Sequence, residues 1–311
     1  MMSESMMEAV RYHEFGGPEV LKIEQVSRPE PKEDEVLVRV HVAGVLPFDW
    51  KVRQGLIPMP VRFPVIPGSA FAGVIEKVGA NVTEFEVGQA VFGRSSNGSY
   101  ATYTIATPDK IALKPASIGF DEAAAISGGA TTAWQVLFND GELKAGDRVL
   151  IHGAAGGVGQ FAVQFAKWKG AYVAATAGPS NVDYVRSIGA DTVIDYTSTR
   201  FEKVIHDMDL VLDTVGGESL EKSWSVIKQG GALVSIAGQP SLERAQEEGV
   251  RLIKPSQVLA QKDLENIARL MDEGKVKGSV GQGFPLHEAA QAHELSQRGH
   301  GRGRIVLRIV E

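Results

Sequence analysis

The stretch Val149-Leu150-Ile151-His152-Gly153-Ala154-Ala155-Gly156-Gly157-Val158-Gly159-Gln160-Phe161-Ala162 constrains this chain more than any other. Its three consecutive apolar residues, Val149 to Ile151, read as a strand buried on both faces. Glycines then let the backbone approach a ligand where a Cβ would collide, and a helix follows. The free N–H groups at that helix start, together with the positive end of its dipole, suit a pyrophosphate. Ala154 stands where the GxGxxG dinucleotide fingerprint has its first glycine, and Gly156 and Gly159 supply the other two. Context separates this pattern from an ordinary strand-to-helix turn. A helix over residues 160–169, then Gly170 and a second apolar strand at 172–176, complete the βαβ unit the motif requires.

The alternation continues beyond that unit. Strands are predicted at 149–151, 172–176, 192–194, 210–212, 232–236 and 251–253, which predicts an α/β, doubly wound parallel sheet of Rossmann type. Upstream the texture is different. Residues 9–13 and 20–25 read as a hairpin turning at Gly16-Gly17-Pro18, and 35–42 alternates Val36, Val38, Val40 and Val42 with Leu37, Arg39 and His41. Further short strands at 72–78, 90–92 and 100–105 suggest a β-rich, barrel-like domain. Helices are predicted at 121–125, separately at 132–137, then at 264–273 and 288–297, with a closing strand at 305–310. A length of 311 residues suits two domains, and the absence of a low-complexity linker predicts that they pack closely around a cleft.

Composition excludes several classes. The chain has no cysteine, so it has neither a disulfide framework nor a thiolate ligand for zinc. Its acidic start, Met1 to Glu8, lacks a signal pattern and no run reaches membrane-spanning length, so a cytoplasmic protein is expected. A net charge of -6 argues against nucleic acid or an anionic membrane as a partner. The basic tract 298–304, with Arg298, Arg302 and Arg304, reads as a loop entering the last strand.

Taken together, the motifs identify a resemblance. Tyr12-His13-Glu14-Phe15-Gly16-Gly17-Pro18-Glu19-Val20-Leu21 opens the chain, and Ala43-Gly44-Val45 is followed by Pro47, Asp49, Trp50 and Lys51. Pro67-Gly68, the glycine loop, Gly189-Ala190-Asp191, Ile194-Asp195-Tyr196 and Arg302-Gly303-Arg304-Ile305-Val306-Leu307 follow. Nearly end to end, the chain resembles the medium-chain dehydrogenase/reductase superfamily, in its zinc-free quinone oxidoreductase-like branch. The resemblance implies a GroES-like catalytic domain, residues 1–115 and 276–311, split around a Rossmann NAD(P)-binding domain, residues 116–275. It also implies a homodimer and a small-molecule substrate. The zinc ligands of related alcohol dehydrogenases fall at Leu46 and Ser69, and neither can replace them: Leu has no lone pair and neutral Ser is a poor zinc ligand. The implied reaction is metal-free hydride transfer from NAD(P)H to a quinone or an α,β-unsaturated carbonyl.

Site candidates follow from both sources. Ala154, Ala155, Gly156, Gly157 and Val158 form the phosphate loop. No acid stands among Thr176, Ala177 and Gly178, where NAD-preferring folds bind the ribose hydroxyls, so NADP(H) is the expected cofactor. Ser180, Asn181 and Tyr196 are its candidate 2′-phosphate contacts, with Arg186 more distant. The resemblance places Thr132 and Leu46 near the nicotinamide; Gly238 follows the strand 232–236 at the carboxyl edge where such sheets bind ligands, and Phe284 is expected to approach the same site from the returning chain. Asp49 and Lys51 are the catalytic candidates, with Lys51 as donor to a ribose hydroxyl or a substrate oxygen; the competing reading is a surface ion pair between them. His13 and His41 read as structural. Many relatives carry Asn in place of Leu46 and an acid in place of Ala70. The two apolar residues point either to a bulky, apolar substrate or to lost turnover. The rivals to a general reductase are therefore a specialised biosynthetic enoyl reductase and a non-catalytic NADPH-binding protein.

Overall fold

Valine spacing and turn chemistry build the first part of the molecule. The computed structural model describes residues 5–256, 260–299 and 301–310; Met1 to Glu4 and His300, part of the readings above, lie outside the described residues. β1 (Met6–Arg11) and β2 (Lys22–Ser27) form the expected hairpin, in antiparallel register from Met6 opposite Ser27 to Arg11 opposite Lys22. β3 (Val36–Val45) runs past the predicted end, because residues 42–45 find ladder partners in the last strand of the chain. Then come α1 (Pro47–Arg53), β4 (Ala70–Val78), β5 (Ala90–Arg94), β6 (Tyr103–Ala106) and β7 (Ile111–Leu113). β6 starts later than predicted. Residues 100 and 101 serve the hairpin instead, with Val10 N–H donating to Tyr100 O at 2.9 Å and Ala9 bridging Ala101. β7, too short to show a period, exists because it pairs with β5.

α2 (Phe120–Trp134) is one helix where two were predicted, and it runs on into a π-helical turn at Gln135–Asn139. Gly128, which breaks the apolar pattern, is a packing notch. A Cβ there would lie 3.1 Å from Leu46 Cδ1 and closer still to Cδ2.

The parallel sheet follows: β8 (Arg148–Ile151), α3 (Gly159–Lys169), β9 (Tyr172–Ala177), α4 (Val182–Ser187), β10 (Thr192–Asp195), β11 (Met208–Asp213), α5 (Gly217–Ser223), β12 (Ile227–Ser235), α6 (Leu242–Glu248) and β13 (Arg251–Ile253). Its six strands run in the order β10-β9-β8-β11-β12-β13. Counted from β8, that is the doubly wound order in which the strand sequence reverses between β8 and β11. Leu150, Ala174, Val211 and Leu233, on four neighbouring strands, share one core with Phe201, Leu220 and Trp224.

The chain ends in α7 (Gln261–Asp272), β14 (Val280–Pro285), α8 (Ala289–Arg298) and β15 (Arg304–Arg308). β14, with glycines and a terminal proline, was not read from the sequence; among the described residues it pairs only with β15, as an edge strand tolerates. The seven-stranded sheet reads β14-β15-β3-β4-β5-β7, with β6 also on β3. Its core gathers Val36, Val38, Val40, Phe71, Ile75 and Val91.

The structure divides into two compact units, Met1–Gly128 with Leu259–Gly274 and Gly278–Glu311, and Gly129–Val258 with Lys275–Lys277. The division crosses α2 and assigns α7 to the first unit. Local bonds explain both: Ser127 Oγ donates to Phe71 O of β4 at 3.0 Å, and Ser117 N–H donates to Asp272 Oδ1 of α7 at 3.0 Å.

An aromatic cluster secures the second unit. Trp134 meets Phe165 edge-on at 5.3 Å and Phe138 at 4.7 Å, and Phe165 is fully buried. Phe165→Ala should lower the unfolding free energy by about 3–5 kcal/mol, read by urea denaturation. A loss below about 1 kcal/mol would contradict the packing described.

Candidate functional site

Two glycines shape the loop after β8. Gly153 supplies the positive φ, +69°, and Ala154 keeps an ordinary negative φ, which is why alanine is accepted at the fingerprint's first position. Gly159 lets α3 start against the strand end: a Cβ there would sit 2.7 Å from Ala154 Cα and nearer still to Gly153 O, both fixed backbone. Ala154 N–H is taken by Thr176 O at 3.1 Å and Gly156 N–H by Gly153 O at 3.0 Å. The N–H groups of Ala155, Gly157 and Val158 have no backbone acceptor among the described residues, so the helix start keeps donors for an anion.

The other candidates of this unit gather at the same carboxyl edge of the sheet. Ser180 and Asn181 lie in the 3-10 turn Pro179–Asn181 that follows β9. Tyr196 follows β10, is 54% exposed, and its hydroxyl stands 3.2 Å from where a Cβ on Gly178 would be. Arg186 is engaged by Asp183 at 2.8 Å. Gly238, past the end of β12, donates its N–H to Ser235 Oγ at 2.9 Å. Thr132 is half-buried near the end of α2, the helix that precedes this sheet in the chain.

What holds that edge together was not read from the sequence. Asp213, fully buried at the end of β11, accepts from Val215 N–H at 3.0 Å, Gly216 N–H at 2.9 Å and Ser235 Oγ at 2.6 Å. One carboxylate thus fastens the ends of β11 and β12 and, through Ser235, the Gly238 turn. His152, immediately before Gly153, does the same for β8 and β9. Its Nδ1 lies 3.0 Å from Thr176 Oγ1 and its Nε2 3.0 Å from Ser223 Oγ. Ser223 spends its proton on Ser219 O at 2.7 Å, so His152 must donate from Nε2 and accept at Nδ1. Burial pushes His152 down to about 4, against an opposing pull from Asp213, which keeps the ring neutral. The usable signal for Asp213 was an acid closing an apolar strand, Leu210-Val211-Leu212-Asp213.

In the first unit, Leu46, Asp49 and Lys51 lie together at α1. Asp49 is no partner of Lys51. It is buried and accepts from Leu46 N–H at 2.8 Å and from the Tyr100 hydroxyl at 3.1 Å. Burial pushes its carboxyl up to about 6, opposed by those two donors and by Arg304 and Arg94. Lys51 is half-buried, with its ammonium 5.6 Å from the centre of the Trp50 ring. Arg304 is buried with its Nε unbonded, and burial pushes it down to about 10. Phe284, on β14, packs in the first unit's core with Leu307. His13 bonds Glu24 at 2.6 Å and His41 stacks on Phe120 with ring centres 4.2 Å apart.

Fold and site together define a nucleotide-binding α/β protein with a β-rich companion unit. A family profile described as zinc-binding dehydrogenase matches residues 188–307, and one described as alcohol dehydrogenase GroES-like domain matches residues 32–129. The chain is similar to human quinone oxidoreductase, 33% identical over 323 residues covering 98% of each. It is 35% identical over 316 residues to the chloroplastic NADPH-dependent alkenal/one oxidoreductase of Arabidopsis thaliana, covering 97% of this chain and 79% of that one. It also matches the structure of Escherichia coli quinone oxidoreductase complexed with NADPH, with a TM-score of 0.88 and 29% identity over 97% of this chain and 100% of that one. The chain belongs to the medium-chain dehydrogenase/reductase superfamily, in its zinc-free quinone oxidoreductase-like branch. It is an oxidoreductase of that family.

The zinc in the first profile's description finds no fit in these residues. Leu46 offers no donor atom, Ser69 Oγ is buried without a partner, and Asp49 is already committed to Leu46 and Tyr100. Among the described residues no three His, Asp or Glu side chains converge. Nor is any helix among the described residues long and apolar enough to cross a membrane.

The His152 network has a pH signature. Its folded value lies below the ordinary 6.5, so its contribution is intact above 6.5 and is lost as pH falls toward about 4. In that window the wild-type protein should lose stability more steeply than His152→Gln, by a slope approaching about 1.4 kcal/mol per pH unit. Denaturation series at several pH values read this difference, and equal slopes would refute a buried neutral ring.

Proposed function

We propose that this chain binds NADPH at the glycine loop and reduces a quinone or an α,β-unsaturated carbonyl without a metal. One observation carries the cofactor choice: the end of β9 bears no acid, while the Tyr196 hydroxyl stands over Gly178 with Ser180 and Asn181 in the next turn. A 2′-phosphate there meets donors instead of a carboxylate. The NADPH bound by the Escherichia coli relative and the alkenal/one activity named for the Arabidopsis relative support the same reading.

When bound, NADPH supplies the hydride, and that chemistry is the carrier's own. The protein holds and orients. Ala155, Gly157 and Val158 direct N–H groups and the α3 dipole at the pyrophosphate, while Ala154 and Gly156 shape the loop. Thr132, Gly238 and Leu46 flank the nicotinamide in this reading. Lys51 donates to the acceptor oxygen as negative charge grows there, and Asp49 holds the turn on which Lys51 stands. Apolar Leu46 and Ala70, both buried, favour a bulky acceptor with little polarity.

The test is oxidation of NADPH, with NADH in parallel, against quinones and enones of increasing size. Turnover should saturate and prefer NADPH. Gly178→Asp should cut that preference by about tenfold or more, equivalent to about 1.4 kcal/mol. Lys51→Met should lower kcat/KM for the acceptor by about 10–100-fold with NADPH affinity unchanged. Tight NADPH binding with no acceptor consumed would overturn the reductase reading in favour of a non-catalytic NADPH binder.

A further inference from the structure

Arg53, His293, Tyr100 and Asp49 form a line of hydrogen bonds in the first unit whose direction is fixed by chemistry. Arginine has donors only, so Arg53 Nη1 donates to His293 Nδ1 at 2.9 Å. With Nδ1 accepting, the imidazole proton sits on Nε2, which donates to the Tyr100 hydroxyl at 3.1 Å. Tyr100 in turn donates to Asp49 Oδ2 at 3.1 Å. Tyr100, His293 and Arg53 are 0% exposed and Asp49 is 5% exposed, so each missing member would leave a buried polar group unpaired.

The path is a ring. Asp49 stands in the first turn of α1 and Arg53 at its last residue. The line leaves α1 at Arg53, crosses α8 at His293, passes Tyr100 between β5 and β6, and returns to α1 at Asp49. Arg53 Nε also donates to Gly16 O at 3.1 Å, anchoring that end again. Both ends of a seven-residue helix are thus tied to partners distant in the chain, and Lys51 lies between the ties.

We propose that Tyr100 and His293 are positioning residues: the ring keeps Asp49 charged and α1 in one pose, and so sets the position of Lys51. This rests on the reading of Lys51 as donor to the acceptor oxygen. The groups acting on Asp49 are the Leu46 amide, Tyr100, Arg304 on β15, Arg94 on β5 and Tyr12 after β1, while His293 on α8 and Arg53 act one step away, through Tyr100. His293 is neutral, pushed down to about 3 by burial and by Arg53, so it acts through its hydrogen bonds. Asp49, pushed up to about 6 by burial, depends on the Leu46 and Tyr100 donors to stay ionised near neutral pH.

The Leu46 amide donates to Asp49 and reports its charge without any turnover. In the full chain labelled with 15N-leucine, its resonance should titrate with a midpoint near 6. Tyr100→Phe keeps the ring and removes the donor, and should raise that midpoint by about one pH unit. His293→Leu should do the same. His293→Gln, which can accept from Arg53 and donate to Tyr100, should restore the wild-type midpoint. The acid limb of kcat/KM for the acceptor should move with the amide in each variant, while NADPH affinity stays constant. An unmoved amide midpoint in Tyr100→Phe and His293→Leu would overturn the proposal. Wild-type protein that titrates as described but turns over no acceptor would refute the reductase reading alone.

Discussion

Helix α3 can begin against the end of β8 only because Gly159 has no Cβ to strike the Gly153 carbonyl. From that approach follow the open N–H groups of the loop, their alignment with the helix dipole, and the seat of any anion at the sheet's carboxyl edge. The strand order does the rest. Because β9 and β11 flank β8 on opposite sides, the chain leaves a crevice where the winding reverses, and the loop opens there. Asp213 and His152 then fasten four strand ends around it. A carboxylate and a neutral imidazole, both fully paired, make a rigid floor from groups that would be costly if any partner were missing.

The first unit solves a different problem. It buries several ionisable groups around one short helix, and their net charge matters. Asp49 faces two guanidiniums, Arg94 and Arg304, with Arg53 at the far end of α1. Burial drives the carboxylate toward neutrality and the arginines hold it back. A purely apolar packing of the same volume would serve stability as well or better. The retained polarity ties both ends of α1, the helix that carries Lys51, to partners distant in the chain.

One fold hosts metal-dependent and metal-free reactions, so residue chemistry at a few positions decides between them. Here Leu46 and Ser69 remove the donors a zinc ion needs, and Leu46 instead packs into the notch that Gly128 leaves in α2.

Much of this was legible along the chain. The glycine loop, the alternation after it and the N-terminal hairpin all depend on neighbours a few residues apart, and periodicity records such neighbours. The missing acid after β9 was equally local. β7 and β14 were not legible, being too short or too glycine-rich for a period; each exists because a distant strand offers a ladder. Two helices, 121–125 and 132–137, are expected where α2 is continuous, and Gly128, between them, is there because the side chain of Leu46 fills its place. Asp49 was read as a group facing the reaction or a surface ion, and only Tyr100 and Leu46 show it buried. His293 gave no signal, since nothing near it in sequence pairs with it. Local backbone chemistry and hydrophobic period, which the sequence carries directly, determined the dinucleotide-type fold and its glycine loop. The hydrogen bonds that fasten the site join residues far apart in the chain, such as Arg53 and His293, so only tertiary packing decided which polar groups are buried, paired and charged.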